Sequence, residues 1–356
     1  MRVLRVEVER LPLRLVEPYV LANEEVDEVA NVLVRVVTDG PHVGLGIAAP
    51  EAAVTGEALD ECERLLRDEA VPLLTGADPL RRVVLTEAFR EAAPAAPAAR
   101  AAVDMALHDL LGKHTGLPVW RLLGGFRTHL PTSMTVFIHG HEETVRRAKA
   151  QVAEGFRALK LKGGSDVEGD IARVLAVRAA VGPHIELRFD ANQGYTAEEA
   201  EHFIAGCDGV GLTVFEQPTP AGELDALRHL VGAVPVPVMA DESVLSLADA
   251  FRLARRNAMD MLNLKLAKVG GLDAATQMNG VARAAGVEVM VGCMDEVALS
   301  IASGLAFACS RPNVELADLD GHLDLLDDPT TGAVELRDGC LWPLDAPGFG
   351  LADLSG

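Results

Sequence analysis

Residues 185–192 read IELRFDAN and residues 212–218 read LTVFEQP; in each, a short apolar run closes on a carboxylate, Asp190 or Glu216, and turn-forming residues follow at once. The same figure recurs in ALKLKGG (158–164), which carries Lys162, in VPVMAD (236–241), which ends on Asp241, and in MLNLK (261–265), which ends on Lys265. These five residues are 28, 26, 25 and 24 positions apart. A strand, a turn, a helix and a return loop together need that much chain, so the spacing predicts successive strand-helix units of a parallel barrel. Side chains at corresponding strand ends of such a barrel converge on one mouth. Three carboxylates there, flanked by two lysines, can hold a hard divalent cation and leave an amine on either side of whatever the cation binds.

The period extends in both directions. SMTVFI (133–138) precedes the ladder, and VEVMVG (287–292) and NVELAD (313–318) follow it, giving eight candidate strands with seven helical intervals. The predicted fold class is therefore α/β: a modified TIM barrel, (β/α)7β, over residues 126–320. Ahead of it, RVLRVEVERLPLRL alternates as a half-buried strand, residues 17–29 read as a polar loop, and residues 30–50 read as two strands joined by a turn at Asp39, Gly40 and Pro41. Helical periodicity then runs from Gly56 to about Leu123. Strands followed by helices predict an N-terminal α+β capping domain over residues 1–125. The Pro- and Gly-rich segment 321–356 has no helical period and is expected to return to the capping domain. A chain of 356 residues accommodates two such domains.

Charge and cysteine usage narrow the classes of function. The chain has 32 basic and 53 acidic residues, a net charge of −21, which disfavours nucleic acid or anionic membrane as partners. Cys62, Cys207, Cys293, Cys309 and Cys340 are scattered and lack CxxC spacing, so neither a disulfide framework nor a zinc site is indicated. The first residues do not read as an apolar leader, and no uncharged stretch in the sequence approaches the roughly 20 residues that span a bilayer. The expectation is a cytoplasmic protein that forms a homo-oligomer. The glycines after Lys162 and in KVGGL lack nucleotide-loop spacing.

Lys160 and Lys162 are two apart in one strand and so share a face, with backbone positions about 7 Å apart. Two like charges beside a cation depress a lysine pKa and make one amine a usable base. Asp190, Glu216 and Asp241 precede the turns Asn192-Gln193-Gly194, Gln217-Pro218 and Glu242-Ser243. No His or Cys joins them, so an all-oxygen set predicts Mg²⁺ rather than zinc.

Taken together, LKLKGG, RFDANQGY, FEQP, MADES, LNLKLAKVGGL and VGCMDE, in that order, resemble the enolase superfamily, in particular its muconate lactonizing enzyme subgroup. The similarity extends to DMALHDLLGKHTGLPVWRLLGG (104–125) and covers nearly the whole chain. The resemblance implies that Asp190, Glu216 and Asp241 bind Mg²⁺, which chelates a substrate carboxylate. It implies too that Lys162 and Lys265 face each other across the α-carbon. One lysine would remove the α-proton and the other return it from the opposite face, through an enediolate that the cation stabilises. Lys160 is implied as catalytic support.

A single-base dehydration or cycloisomerisation can use the same pair, so the reaction is selected elsewhere. Asp318 and Asp320, in ELADLDGH, resemble the pair that holds the substrate α-ammonium in the dipeptide epimerases of the subgroup, and two acids on one face suit an amine. Two departures from the Ala-Glu epimerases bear on specificity. Asn23-Glu24-Glu25 stands where those enzymes have an arginine, and Asp295, after Met294, stands where an apolar residue is usual. Acids there would repel a glutamyl side chain and attract a cationic one. The implied substrate is an L,L-dipeptide with a neutral first and a polar or cationic second residue, inverted at the second α-carbon. Thr135 and Met294 are substrate contacts on the same resemblance, and His139 and His141 lie just past the first barrel strand. The alternatives are an N-succinylamino acid racemase, an o-succinylbenzoate synthase or a muconate cycloisomerase; outside enzymes, the alternative is a catalytically silent metal- or ligand-binding barrel.

Overall fold

Alternation in the first strand sends Leu11, Leu13 and Leu15 into the core and leaves Arg10 and Arg14 outside. This strand, β1 (Val3–Leu21), pairs antiparallel with β2 (Glu24–Thr38), which pairs antiparallel with β3 (Val43–Ala48). The computed structural model describes residues 1–21, 24–352 and 354, without the side chains of residues 19–26. Asn23 and the side chains of Glu24 and Glu25 therefore lie outside the described residues. The expected loop at 17–29 is instead mostly an extension of the β1–β2 ribbon, with Tyr19 opposite Val26 and Leu21 opposite Glu24. Residues 17–29 have no sustained alternation of apolar and polar residues, so this ribbon reads as a loop in the sequence.

The helix Pro97–Thr115 lies across this sheet and is buried along nearly its whole length. Its alanines and the glycines of β3 bring the two backbones together: a Cβ at Gly46 would stand 2.0 Å from the Ala102 carbonyl oxygen, and one at Gly44 2.4 Å from that of Ala106.

After the two-residue strand β4 (Leu130–Pro131) come the eight barrel strands: β5 (Ser133–Val136), β6 (Ala158–Lys162), β7 (Glu186–Asp190), β8 (Leu212–Glu216), β9 (Val238–Ala240), β10 (Met261–Lys265), β11 (Glu288–Gly292) and β12 (Val314–Asp318). They pair in sequence order, all parallel, and Thr132 bridges Ala317 where the last strand meets the first. The strand ends fall where the sequence predicts, except that β5 is shorter and β9 stops one residue before Asp241. Val214, Met239, Met261 and Met290 form an apolar layer inside the barrel, with Leu316 packed against it. Buried Arg188 is held there by its Nη1, 2.8 Å from the Ala317 carbonyl oxygen and 3.2 Å from Ser133 Oγ. The packed lower barrel directs chemistry to the strand C-termini.

The final segment is more ordered than its composition suggests. β13 (Val334–Arg337) and β14 (Cys340–Pro343) form a hairpin whose second strand pairs with β4. The Phe349 amide then donates to Asp109 Oδ1 at 3.0 Å, tying the segment to the capping helix. All five cysteines are free thiols, and no helix among the described residues is long and apolar enough to cross a membrane.

The close approach of β3 to the capping helix makes Gly46→Ala a test of this packing. We expect the substitution to lower the free energy of unfolding by about 1–3 kcal/mol, measured by urea titration, because neither backbone can yield.

Candidate active site

Eight strands in a closed ring place every fourth strand opposite. Lys162 on β6 therefore faces Lys265 on β10 across the mouth, and the acids that follow or end β7, β8 and β9 fill the arc between them. Asp318, ending β12, faces Glu216 on β8. The two lysines thus lie on one diameter of the mouth, and the metal-ligand candidates and the Asp318–Asp320 pair on the other.

Each of the three acids has one oxygen held by the protein. Asp190 Oδ1 accepts the Asn192 amide at 2.9 Å, Glu216 Oε1 accepts Asn263 Nδ2 at 2.6 Å, and Asp241 Oδ1 accepts Lys268 Nζ. The other oxygens face the lysines. Asp190 Oδ2 is 2.7 Å from Lys162 Nζ and 3.7 Å from Lys160 Nζ, Glu216 Oε2 is 3.8 Å from Lys160 Nζ, and Asp241 Oδ2 is 2.8 Å from Lys265 Nζ. Glu216 Oε2 and Asp241 Oδ2 are both buried; Glu216 Oε2 accepts no hydrogen bond, and Asp241 Oδ2 meets only the Lys265 ammonium. Buried carboxylate oxygens that meet only ammoniums or no donor at all, in a set lacking nitrogen and sulfur ligands, fit a hard cation such as Mg²⁺.

Electrostatics agree with that fit. Burial and the neighbouring Asp190 carboxylate push Glu216 up to about 8, against the attraction of Lys160. Burial also opposes ionisation of Asp241, but the Lys265 and Lys268 ammoniums outweigh it and hold the carboxyl far below its ordinary range. Burial disfavours the Lys265 ammonium, yet Asp241 raises it above the usual lysine value. The expected depression of one lysine by the other is not how Lys160 behaves. Its ammonium is bonded to Asp318, and the surrounding acids, Asp318 first, overcome burial and raise it well above the ordinary value. Burial resists ionisation of Asp318, but Lys160 brings it down to about 2; burial and the Asp318 charge push Asp320 up to about 6.

A cavity of about 520 Å³ opens at this mouth. Lys160, Lys162, Lys265, Asp318 and Asp320 line it, as do Thr135, Met294 and Asp295. His139 reaches the cavity while His141 is exposed on the helix that follows. Thr135 holds Asp320 through its backbone amide, 2.7 Å from Oδ2.

Several residues at the site were missed in the sequence. Glu51, from the loop after β3, and Asp324, from the short turn of helix Gly321–Asp324, add two acids to the cavity wall. Asn263 shares the inward face of β10 with Lys265, and Lys268 lies three residues past it, a spacing that puts it back over the same strand end. Gln217 is fully buried; its Oε1 accepts the amides of Asp241 at 2.9 Å and Ser243 at 3.1 Å, so one strand's loop fixes the next ligand. Asn192, Gln193 and Gln217, in the loops after Asp190 and Glu216, have φ of 43°, 69° and 31°, left-handed backbone in non-glycine residues.

Asp104, His108 and Asp273 also come together, away from the mouth. There the Arg82 guanidinium is 2.7 Å from His108 Nε2 and 3.3 Å from Asp273, so a cation is already present and the group acts as a clasp between the capping and barrel helices.

Among known families, residues 4–124 match the mandelate racemase / muconate lactonizing enzyme N-terminal domain, and residues 143–352 match the enolase C-terminal domain-like model. The chain belongs to the mandelate racemase / muconate lactonizing enzyme family of the enolase superfamily, and it is an isomerase. Among its relatives, the L-Lys-D/L-Arg epimerase of Methylococcus capsulatus is 40% identical over 349 residues, 98% of each chain. The L-Ala-D/L-Glu epimerase of Bacillus subtilis is 34% identical over 354 residues, 99% of this chain and 97% of that one. The crystal structure of a dipeptide epimerase from Methylococcus capsulatus, complexed with Mg and the dipeptide L-Arg-D-Lys, has a TM-score of 0.95 at 39% identity and covers 98% of this chain and 99% of that one.

Because Gln217 satisfies two buried amides next to the third acid, Gln217→Ala should lower the thermal unfolding midpoint. Each amide left unpaired costs about 1–3 kcal/mol. An unchanged midpoint in a calorimetric scan would mean that the loop is held in another way.

Proposed function

We propose that this chain is a Mg²⁺-dependent dipeptide epimerase that inverts the α-carbon of the C-terminal residue of an L,L-dipeptide. The observation that carries this reading is the crossed arrangement at the mouth: lysines at the ends of one diameter, the acids bounding β7–β9 and the Asp318–Asp320 pair at the ends of the other. In this reading Asp190, Glu216 and Asp241 hold the cation, which when bound neutralises charge developing on the substrate carboxylate. The α-ammonium of the first residue binds at Asp318 and Asp320. Lys160 neutralises one of these two acids, so the pair offers close to a single net negative charge for a single ammonium. The α-carbon of the second residue then lies between the lysines. One of Lys162 and Lys265 takes its proton from one face while the other, as an ammonium, returns a proton to the opposite face, through an enediolate. Residues 1–125 serve as the cap over a barrel at 126–320, with 321–356 as the strap between them.

The acids of the cavity wall support a polar or cationic second residue. Asp295, Asp324 and Glu51 share the wall, and the acidic composition extends through Glu24 of the cap. The name of the Methylococcus capsulatus relative, an L-Lys-D/L-Arg epimerase, points the same way. Against N-succinylamino acid racemisation or o-succinylbenzoate synthesis stands the acid pair itself, since those substrates carry no ammonium to neutralise it. The composition supports a cytoplasmic enzyme without nucleic-acid or membrane partners, and a homo-oligomer completes the proposal.

A library of L,L-dipeptides incubated in D₂O and read by mass shift tests the reaction. We expect L-Ala-L-Lys to exchange its second α-proton faster than L-Ala-L-Glu, and dipeptides faster than N-succinylated amino acids; the reverse order in either comparison would overturn that part of the proposal. Lys265→Ala should reduce exchange by about 10²–10⁴-fold, and Asp318→Asn should weaken dipeptide turnover selectively.

Burial, reinforced by Asp320 and Asp295, pushes Asp324 up to about 7. Below that value it is neutral and attracts no cation. The KM of a lysyl or arginyl dipeptide should therefore fall as pH rises from about 6 to about 8, more than the KM of an alanyl dipeptide with the same α-ammonium. Parallel KM profiles for the two would remove Asp324 from the specificity pocket.

A further inference from the structure

Two residues at the foot of the ligand set have no part in the proposed proton transfer, yet both are fully buried and both are polar. Asn263 and Lys268 are each 0% exposed. Asn263 Nδ2 donates to Glu216 Oε1 at 2.6 Å. Lys268 Nζ donates to Asp241 Oδ1, to the Asp241 carbonyl at 2.6 Å and to the Asn263 carbonyl at 3.1 Å. Room for Asn263 is made by a glycine on the next strand, since a Cβ at Gly292 would stand 2.7 Å from its Oδ1. Burying an ammonium and an amide here costs desolvation that simple packing would not require. The arrangement has a specific result. One oxygen of Glu216 and one of Asp241 are occupied; of the opposite oxygens, Glu216 Oε2 accepts no hydrogen bond and Asp241 Oδ2 meets only the Lys265 ammonium.

We propose that Asn263 and Lys268 are positioning residues that make the ligand set bind its cation through single carboxylate oxygens, and thereby select Mg²⁺ over Ca²⁺. The inference rests on the assignment of Asp190, Glu216 and Asp241 as the cation's ligands. Mg²⁺ requires a small octahedral shell and accepts one oxygen per carboxylate, whereas Ca²⁺ takes six to eight oxygens at longer range and readily uses both oxygens of an acid. A carboxylate with one oxygen already bonded to Asn263 or Lys268 is oriented to present the other to the ion. The Asn192 amide, bonded to Asp190 Oδ1, does the same for the first acid, but through backbone. Selectivity is thus set by side chains that never touch the ion, as is general for residues that orient metal ligands.

Isothermal titration of the metal-free full-length protein with MgCl₂ and separately with CaCl₂ tests this without reference to turnover. Wild type should bind Mg²⁺ more tightly than Ca²⁺; a preference for Ca²⁺ overturns the inference before any substitution is made. Asn263→Leu removes the donor to Glu216 while keeping the side-chain size, and Lys268→Met does the same at Asp241. In either variant Mg²⁺ should bind about 10–100-fold more weakly, while Ca²⁺ binding holds or tightens, so the preference narrows by at least about tenfold. Equal loss of both ions, or an unchanged preference, in a variant with wild-type circular dichroism would refute the selector role. Glu216→Gln separates the two levels: if it binds Mg²⁺ as wild type does, the ligand assignment itself fails, whereas its loss of Mg²⁺ binding alongside an unchanged preference in Asn263→Leu sinks only the present inference.

Discussion

Three carboxylates that share one barrel mouth repel one another, and the site is built around that repulsion. Asp190, Glu216 and Asp241 are each at most 1% exposed, so water cannot screen them. Their neighbours divide the task. One oxygen of each is fixed by a donor on the far side from the mouth, and the others look toward the ammoniums of Lys160, Lys162 and Lys265. Burial and the Asp190 carboxylate push Glu216 up to about 8, the direction in which a proton relieves the crowding. A divalent cation relieves it more completely, which is the physical sense in which the fold is prepared for one.

The barrel makes such a concentration of charge affordable. Below the mouth, methionines and valine close the interior, and Arg188 ties the walls together through the Ala317 carbonyl. The polar layer therefore rests on a packed floor, and strain collects above it, in the left-handed backbone of Asn192, Gln193 and Gln217. The loops hold that strain because their partners are numerous: Gln217 reaches Asp241, Ser243 and Thr219, and Gln193 reaches Ala221.

How much of this is legible in the chain varies by residue. The barrel strands are plain, because each is a short, largely buried apolar run and six of the eight end on, or are followed at once by, Lys162, Asp190, Glu216, Asp241, Lys265 or Asp318. The ribbon at 17–29 is not, because its residues carry no sustained apolar alternation. The terminal hairpin Val334–Pro343 is likewise hidden, since its pairing partner Leu130–Pro131 lies some two hundred residues earlier in the chain.

From the sequence alone follow the number and order of barrel units and the identity of the strand-end residues, because the period of a strand-helix unit and the two-residue alternation within a strand are local properties. Lys162, Asp190, Glu216, Asp241, Lys265 and Asp318 could therefore be named before any coordinates. Only the tertiary structure decided who bonds to whom. Lys160 could be taken as a modulator of Lys162 until ring closure set it against Asp318, which lies 158 residues away. Asn263 and Lys268 lie within the LNLKLAKVGGL motif, but their partners Glu216 and Asp241 emerged only when β8, β9 and β10 stood side by side. Charge pairing across a closed sheet depends on register and shear, and no single strand encodes these.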